Sequence, residues 1–120
     1  MGLLDRIRDK GKPRSPQDAD RLALRHLQGR GADLTQQRHV IHFLYFEEEE
    51  DARSAAQDVE GSEWSANVEP PADERKEWVV RADGYRVVDT ATVSAFRVWF
   101  ERIAAEHAGE YDGWEASAKP

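Results

Sequence analysis

Few residues in this chain of 120 are suited to chemistry. There are four histidines and no cysteine. Two of the histidines, His39 and His42, lie in the run Arg38-His39-Val40-Ile41-His42-Phe43-Leu44-Tyr45-Phe46. An odd separation puts them on opposite faces of a strand, so they do not make a two-histidine metal site. Glu110 and Asp112 are two apart and share a face if their segment is also a strand. Placed beside the His42 strand, Asp112 can approach His42 as an acid–base pair. A hydrogen-bonded sheet histidine and a structural polar pair are the commoner uses of such residues. No Ser-His-Asp order and no His-Glu-x-x-His motif occurs. The expectation is therefore no catalytic residue, no metal and no cofactor. Glu47-Glu48-Glu49-Glu50-Asp51 is the strongest charge run. It reads as a solvated helix start, and also as the best local surface for a basic partner.

The positioning elements follow from patterning. The run Arg38–Phe46 is the densest apolar stretch, rich in β-branched and aromatic residues. Both of its alternating sets are largely apolar, as in a central strand covered on both sides. Before it, Ser15 caps a helix that Pro16 opens, with Asp18 three residues after the cap. Ala19, Leu22, Ala23, His26 and Leu27 give that helix an apolar stripe, and Gly29 and Gly31 end it. After the acidic run, Ala52, Ala55, Ala56 and Val59 form a stripe of small residues up to Gly61. Trp64, Ala66 and Val68 alternate with polar residues, and so do Trp78, Val80 and Ala82 beyond the break at Pro70-Pro71. These two strands pair as a hairpin, with Gly84 closing the second unless Tyr85, Val87 and Val88 extend it irregularly. Asp89 or Thr90 caps a last helix with Val93, Phe96, Phe100, Ile103 and Ala104 on its buried side and Ala95 and Trp99 at its flank. Glu110 to Ala116 makes the final strand.

The order after the first helix is βαββαβ. It predicts an α+β fold, a ferredoxin-like sandwich with a four-stranded antiparallel sheet and two helices on one face, plus the extra N-terminal helix. The opening strand is central in that arrangement. Its second face leaves an apolar stripe among Ser65, Asn67 and Arg81. The helix of Pro16 to Gln28, or a partner, is expected to cover it. The boundaries are a mobile segment over 1–14, the N-terminal helix over 15–30 and the α+β domain over 31–117.

Length and charge bound the function classes. A chain of 120 residues fits one domain with a core of its own. No apolar run reaches the ~18 residues of a membrane span. The N-terminus has no apolar stretch after its basic residues, so it is not read as a secretory signal. Absence of cysteine fits a reducing cytoplasm, the expected location. Net charge is −7. Residues 1–16 hold five cations against two carboxylates, or +3, which leaves −10 on the remainder. Such a domain repels phosphate backbones, which argues against direct nucleic-acid binding and for a basic protein partner.

The run Arg38 to Phe46 resembles the Pro-Arg-x-Val-x-His-x-Leu-Tyr-Phe strand of the regulator of ribonuclease activity B family, the ribonuclease E inhibitors. Phe100 to Glu115, ending Gly109-Glu110-Tyr111-Asp112-Gly113-Trp114-Glu115, resembles that family's closing helix and its Gly-Gly-x-Tyr-Asp-Gly-Trp-Glu signature. The resemblance covers roughly residues 34–116, with Trp78 in register. Gln37 stands where the motif has proline, and Ala108 where it has glycine. The resemblance implies a ferredoxin-like fold. It also implies a cytoplasmic, non-catalytic protein that binds a ribonuclease with basic segments and modulates RNA cleavage. The partner-binding candidates are His42, Tyr45, Glu48, Glu49, Tyr111, Asp112 and Trp114. The alternative is a small ligand-binding or catalytic domain using His42 and Asp112.

Overall fold

The computed structural model describes residues 15–119, and the expectation for residues 1–14 lies outside them. The elements run α1 (Pro16–Gly29), β1 (Gln37–Phe46), α2 (Glu49–Glu60), β2 (Ser65–Glu69), β3 (Trp78–Val87), α3 (Thr90–Glu106) and β4 (Glu110–Ala116). The strands form one antiparallel sheet in the order β2-β3-β1-β4, so β1 is central. No helix among the described residues is long and apolar enough to cross a membrane.

The caps are those the sequence calls for. Ser15 Oγ accepts from the Asp18 backbone N–H at 3.1 Å, and Asp89 Oδ1 accepts from the Thr92 N–H at 2.8 Å. Each cap satisfies a donor that a helix start leaves without an internal partner. Glu49, Glu50 and Asp51 fill the first turn of α2, where carboxylates suit the positive end of the helix dipole.

Strand alternation decides which face of β1 is the core. Arg38, Val40, His42, Leu44 and Phe46 are buried, while His39, Ile41, Phe43 and Tyr45 are partly exposed. Ala82 and Val80 on β3 stand opposite His42 and Leu44 and extend the buried face. The helices supply Leu24 and Leu27 from α1, Ala52, Ala55, Ala56 and Val59 from α2, and Val93, Phe96, Phe100, Ile103 and Ala104 from α3. Burying each larger side chain contributes roughly 1.5–3 kcal/mol. The small residues of α2 let it lie close over β2 and β3, while α3 lies over β4 and β1.

One expectation changes. α1 does not cover the second face of the sheet. It packs beside α3 on the same side as the other helices, and its buried set is Ala19, Asp20, Leu24 and Leu27. Leu22 is left exposed. The cause is Asp20, which is drawn into the core by partners on α3 and β4 and so fixes the helix's rotation. β3 continues past Gly84 to Val87, the extension that the sequence left open. The Trp64 indole lies on Gly84, where a Cβ would stand 2.5 Å from Cε3 of that ring. Glycine is there to admit the ring.

Candidate functional site

β1 sorts the chemistry-bearing residues onto two sides of the sheet. His42 points into the core and is fully buried. Its ring stacks on Phe100 at 4.0 Å between centroids and meets Trp64 and Phe96 edge-on at 4.6 and 5.1 Å. Nδ1 lies 2.7 Å from the Tyr111 hydroxyl, and Nε2 has no hydrogen-bond partner. Burial first, then the positive fields of Arg97 and Arg86, hold the His42 pKa well below its ordinary value. The ring is therefore neutral.

The polar chain continues from Tyr111. The Arg97 guanidinium lies over the Tyr111 ring, 5.0 Å from its centroid. Arg97 Nε and Nη2 donate to the two carboxylate oxygens of Asp20 at 2.7 and 2.9 Å. Trp114 Nε1 donates to Asp20 Oδ1 at 2.9 Å, and Arg97 Nη1 donates to Glu101 at 3.0 Å. Burial alone would lower the Arg97 pKa, but its bonds to Asp20 outweigh that and raise it. Burial also raises the Tyr111 pKa. The network joins α1, β1, α3 and β4. Sequence reasoning passed over both Asp20 and Arg97. The available signal was Arg97 itself, which sits inside the apolar stripe four residues after Val93 and beside Phe96.

The Tyr111-Asp112-Gly113-Trp114 segment has a backbone reason. The register of β4 against β1 shifts between Phe43 and Leu44, with Leu44 opposite Tyr111 and Phe43 opposite Gly113. Asp112 is thus the extra residue of a β-bulge. Gly113 has φ +108°, a backbone that side-chain-bearing residues rarely adopt. The bulge lets Tyr111 and Trp114, three apart, both face the core, and sends Asp112 to the opposite side.

There Asp112 accepts a hydrogen bond from the Tyr45 hydroxyl. Burial first, and then this carboxylate, push the Tyr45 pKa up to about 12. Along the same face His39 Nε2 lies 2.8 Å from Asp83 Oδ1, Arg81 Nε donates to Asp83 Oδ2 at 3.2 Å, and Tyr85 stacks on His39 at 5.3 Å. Glu48 and Glu49 are exposed at the start of α2, with Glu49 paired to Arg53 at 2.7 Å.

The seven candidate residues are therefore divided. His42, Tyr111 and Trp114 are held among the helices. Tyr45 and Asp112 meet on the open face, and Glu48 and Glu49 lie beyond the end of β1. The expected approach of His42 to Asp112 does not occur. β4 does flank β1, but the bulge puts the two side chains on opposite sides of the sheet and gives His42 the Tyr111 hydroxyl instead. Arg38 is also structural. Fully buried, it donates from Nη1 to the carbonyls of Ser117 at 2.9 Å and Ala118 at 2.8 Å, and from Nη2 to that of Asp33. These bonds hold the segments flanking the sheet. One further group brings metal-ligand types together. Asp58, Glu106 and His107 have donor atoms within 4.8 Å of one another, with His107 Nε2 2.6 Å from Asp58 Oδ2. Residues 49 apart in sequence gave no signal of this contact.

None of the curated proteins matches the chain by sequence. The sequence model of the family described as regulator of ribonuclease activity B matches residues 17–116. That match begins in α1 and ends with β4, so it takes in the N-terminal helix that the motif resemblance alone left out. With most of its length inside the match, the chain belongs to the regulator of ribonuclease activity B family.

Proposed function

We propose that this protein is a non-catalytic regulator that binds a ribonuclease and modulates RNA cleavage by contact. The observation that carries this reading is the family match over residues 17–116, which spans nearly all of the α1-to-β4 unit. The arrangement of the candidate side chains supports it. His42, the candidate base, is neutral and enclosed by Phe100, Phe96 and Trp64, and the carboxylate it could have paired with lies across the sheet. On this reading His42, Tyr111 and Trp114 hold β1 and β4 in register. Tyr45, Glu48, Glu49 and Asp112 remain as contact residues. The strand order β4-β1-β3-β2, with the helices on one face, supports a ferredoxin-like sandwich extended by α1. A net charge of −7 favours a basic protein segment over RNA as the thing bound. The chain would then work in the cytoplasm, where RNA is degraded.

The test uses the whole chain as bait against purified ribonuclease of the same host, with RNA cleavage followed alongside. Retention of the ribonuclease on the bait and slower cleavage are expected. No retention together with unchanged cleavage overturns the reading.

A further inference from the structure

We propose that Asp58, Glu106 and His107 form a binding site for a divalent cation of the zinc class, which reversibly clips the end of α2 to the end of α3. The site stands apart from the ribonuclease reading and uses none of the contact residues named there. The three side chains bring their donor atoms within 4.8 Å of one another. Zinc holds imidazole and carboxylate ligands at about 2.0–2.2 Å, which places neighbouring ligand atoms of a tetrahedron about 3.4 Å apart. Side-chain movements of about 1 Å therefore turn the present arrangement into a coordination set. Three side chains fill three positions and leave the fourth to water.

Local charge calls for a cation. Asp58 lies in the last turn of α2, and Glu106 is the last residue of α3. Both helices therefore present the negative ends of their dipoles here, where cations are ordinarily favoured. Neither helix has a basic residue in its last turn. His107 answers Asp58, with Nε2 2.6 Å from Oδ2. Glu106 makes no hydrogen bond or ion pair among the described residues. An ordinary ion pair thus accounts for His107 and Asp58 and gives Glu106 no role. Two carboxylates and one imidazolium carry −1 together, before the helix dipoles are added. A divalent cation takes the place of the proton between His107 and Asp58, engages Glu106 and reverses that sign.

The backbone that carries the ligands is held on both sides. His107 is the C-cap of α3, and its N–H bonds to the Ala104 carbonyl at 3.1 Å. Two residues on, Gly109 lies against the Phe46 ring, where a Cβ would stand 2.4 Å from Cδ1. The turn bearing His107 is thereby seated on the end of β1. On α2, Val59 beside Asp58 is fully buried. Ligands on seated elements keep their mutual geometry before the metal arrives. The donor set then selects the ion. Imidazole with carboxylates suits zinc and its neighbours in the first transition row. Calcium takes about six to eight oxygen ligands, and magnesium an oxygen octahedron made largely of water. One imidazole and two carboxylates meet neither demand.

The test titrates zinc into the full chain, without a histidine tag and stripped of metal, in competition with a chelating dye. Thermal unfolding is followed by circular dichroism with and without zinc, which also identifies any variant that fails to fold. One equivalent should bind with a Kd of about 10 μM or tighter. Binding to the folded state should raise Tm by about 2 °C or more. Magnesium and calcium should do neither. Glu106→Gln should weaken zinc binding at least about tenfold and remove the Tm rise. Its Tm without zinc should match the parent's, because the side chain has no partner to lose. His107→Gln should weaken binding as much. His39→Gln, which removes the imidazole beside Asp83 on the other face of the sheet, should bind as the parent does. Absence of zinc binding, binding kept by the folded Glu106→Gln and His107→Gln chains, binding lost in folded His39→Gln, or bound zinc that leaves Tm unchanged would each overturn the proposal. Equal binding of magnesium or calcium would overturn the zinc class.

Discussion

Arg97 grips Asp20 through two N–H···O bonds of 2.7 and 2.9 Å, and the pair, 77 residues apart in sequence, is buried between α1 and α3. Trp114 adds a third bond to the same carboxylate. This pair, more than the apolar stripe of α1, sets where the first helix sits. Removing one member of a buried pair leaves the other charge without compensation. Asp20→Ala should therefore cost about 3–5 kcal/mol in urea unfolding followed by circular dichroism. The double variant Asp20→Leu/Arg97→Met removes both charges and should recover most of that loss. A single variant within about 0.5 kcal/mol of the parent would show that the pair does not anchor α1.

His42 makes stability depend on pH. Its folded pKa is held well below the ordinary value of 6.5 by burial, while the unfolded chain titrates near that value. Below pH 6.5 the unfolded state therefore binds the proton that the folded state refuses. The stability associated with neutral His42 is fully present above about pH 6.5 and is lost as pH falls from there to the folded pKa. The slope approaches about 1.4 kcal/mol per pH unit from this group. His42→Phe should unfold more readily at pH 8, because Tyr111 loses its partner, but should shed that part of the acid slope. Parallel stability–pH curves for the two proteins between pH 5 and 7 would contradict the assignment.

Ala108 occupies the left-handed region with φ +60°, just after α3. The Gly109 N–H bonds back to the Ala104 carbonyl at 2.8 Å and the Ala108 N–H to that of Ala105 at 3.4 Å, the pair of bonds that closes a helix with a left-handed residue. Glycine suits that position because it has no Cβ to crowd the backbone. Ala108→Gly should raise stability by roughly 0.5–1 kcal/mol, seen as a Tm higher by about 2–6 °C. A lower Tm would show that α3 ends differently in solution.

The elements were legible because local patterning and burial agree. The small-residue stripe of α2, the Phe96–Phe100–Ile103 stripe of α3 and the caps at Ser15 and Asp89 each depend on neighbours three or four residues away. The face of β1 was not legible, since Val40 and Ile41 are equally apolar. Only the helices' placement against Val40, Leu44 and Phe46 decides it. The site was harder. Alternation alone would put Trp114 on the same side as Glu110 and Asp112, and a bulge is a long-range pairing event that shows in sequence only as an unexplained Gly113. Asp20 and Arg97 look like solvated helix charges until α1 and α3 are brought together.

The central claim is regulation of a ribonuclease by contact. Its most direct measurement is the initial rate of cleavage of a fluorogenic RNA by the host ribonuclease as this protein is titrated in, at low and at high salt. Regulation by contact predicts a saturable fall in rate that weakens as salt screens the acidic surface. A rate unchanged at saturating protein and low salt would contradict it.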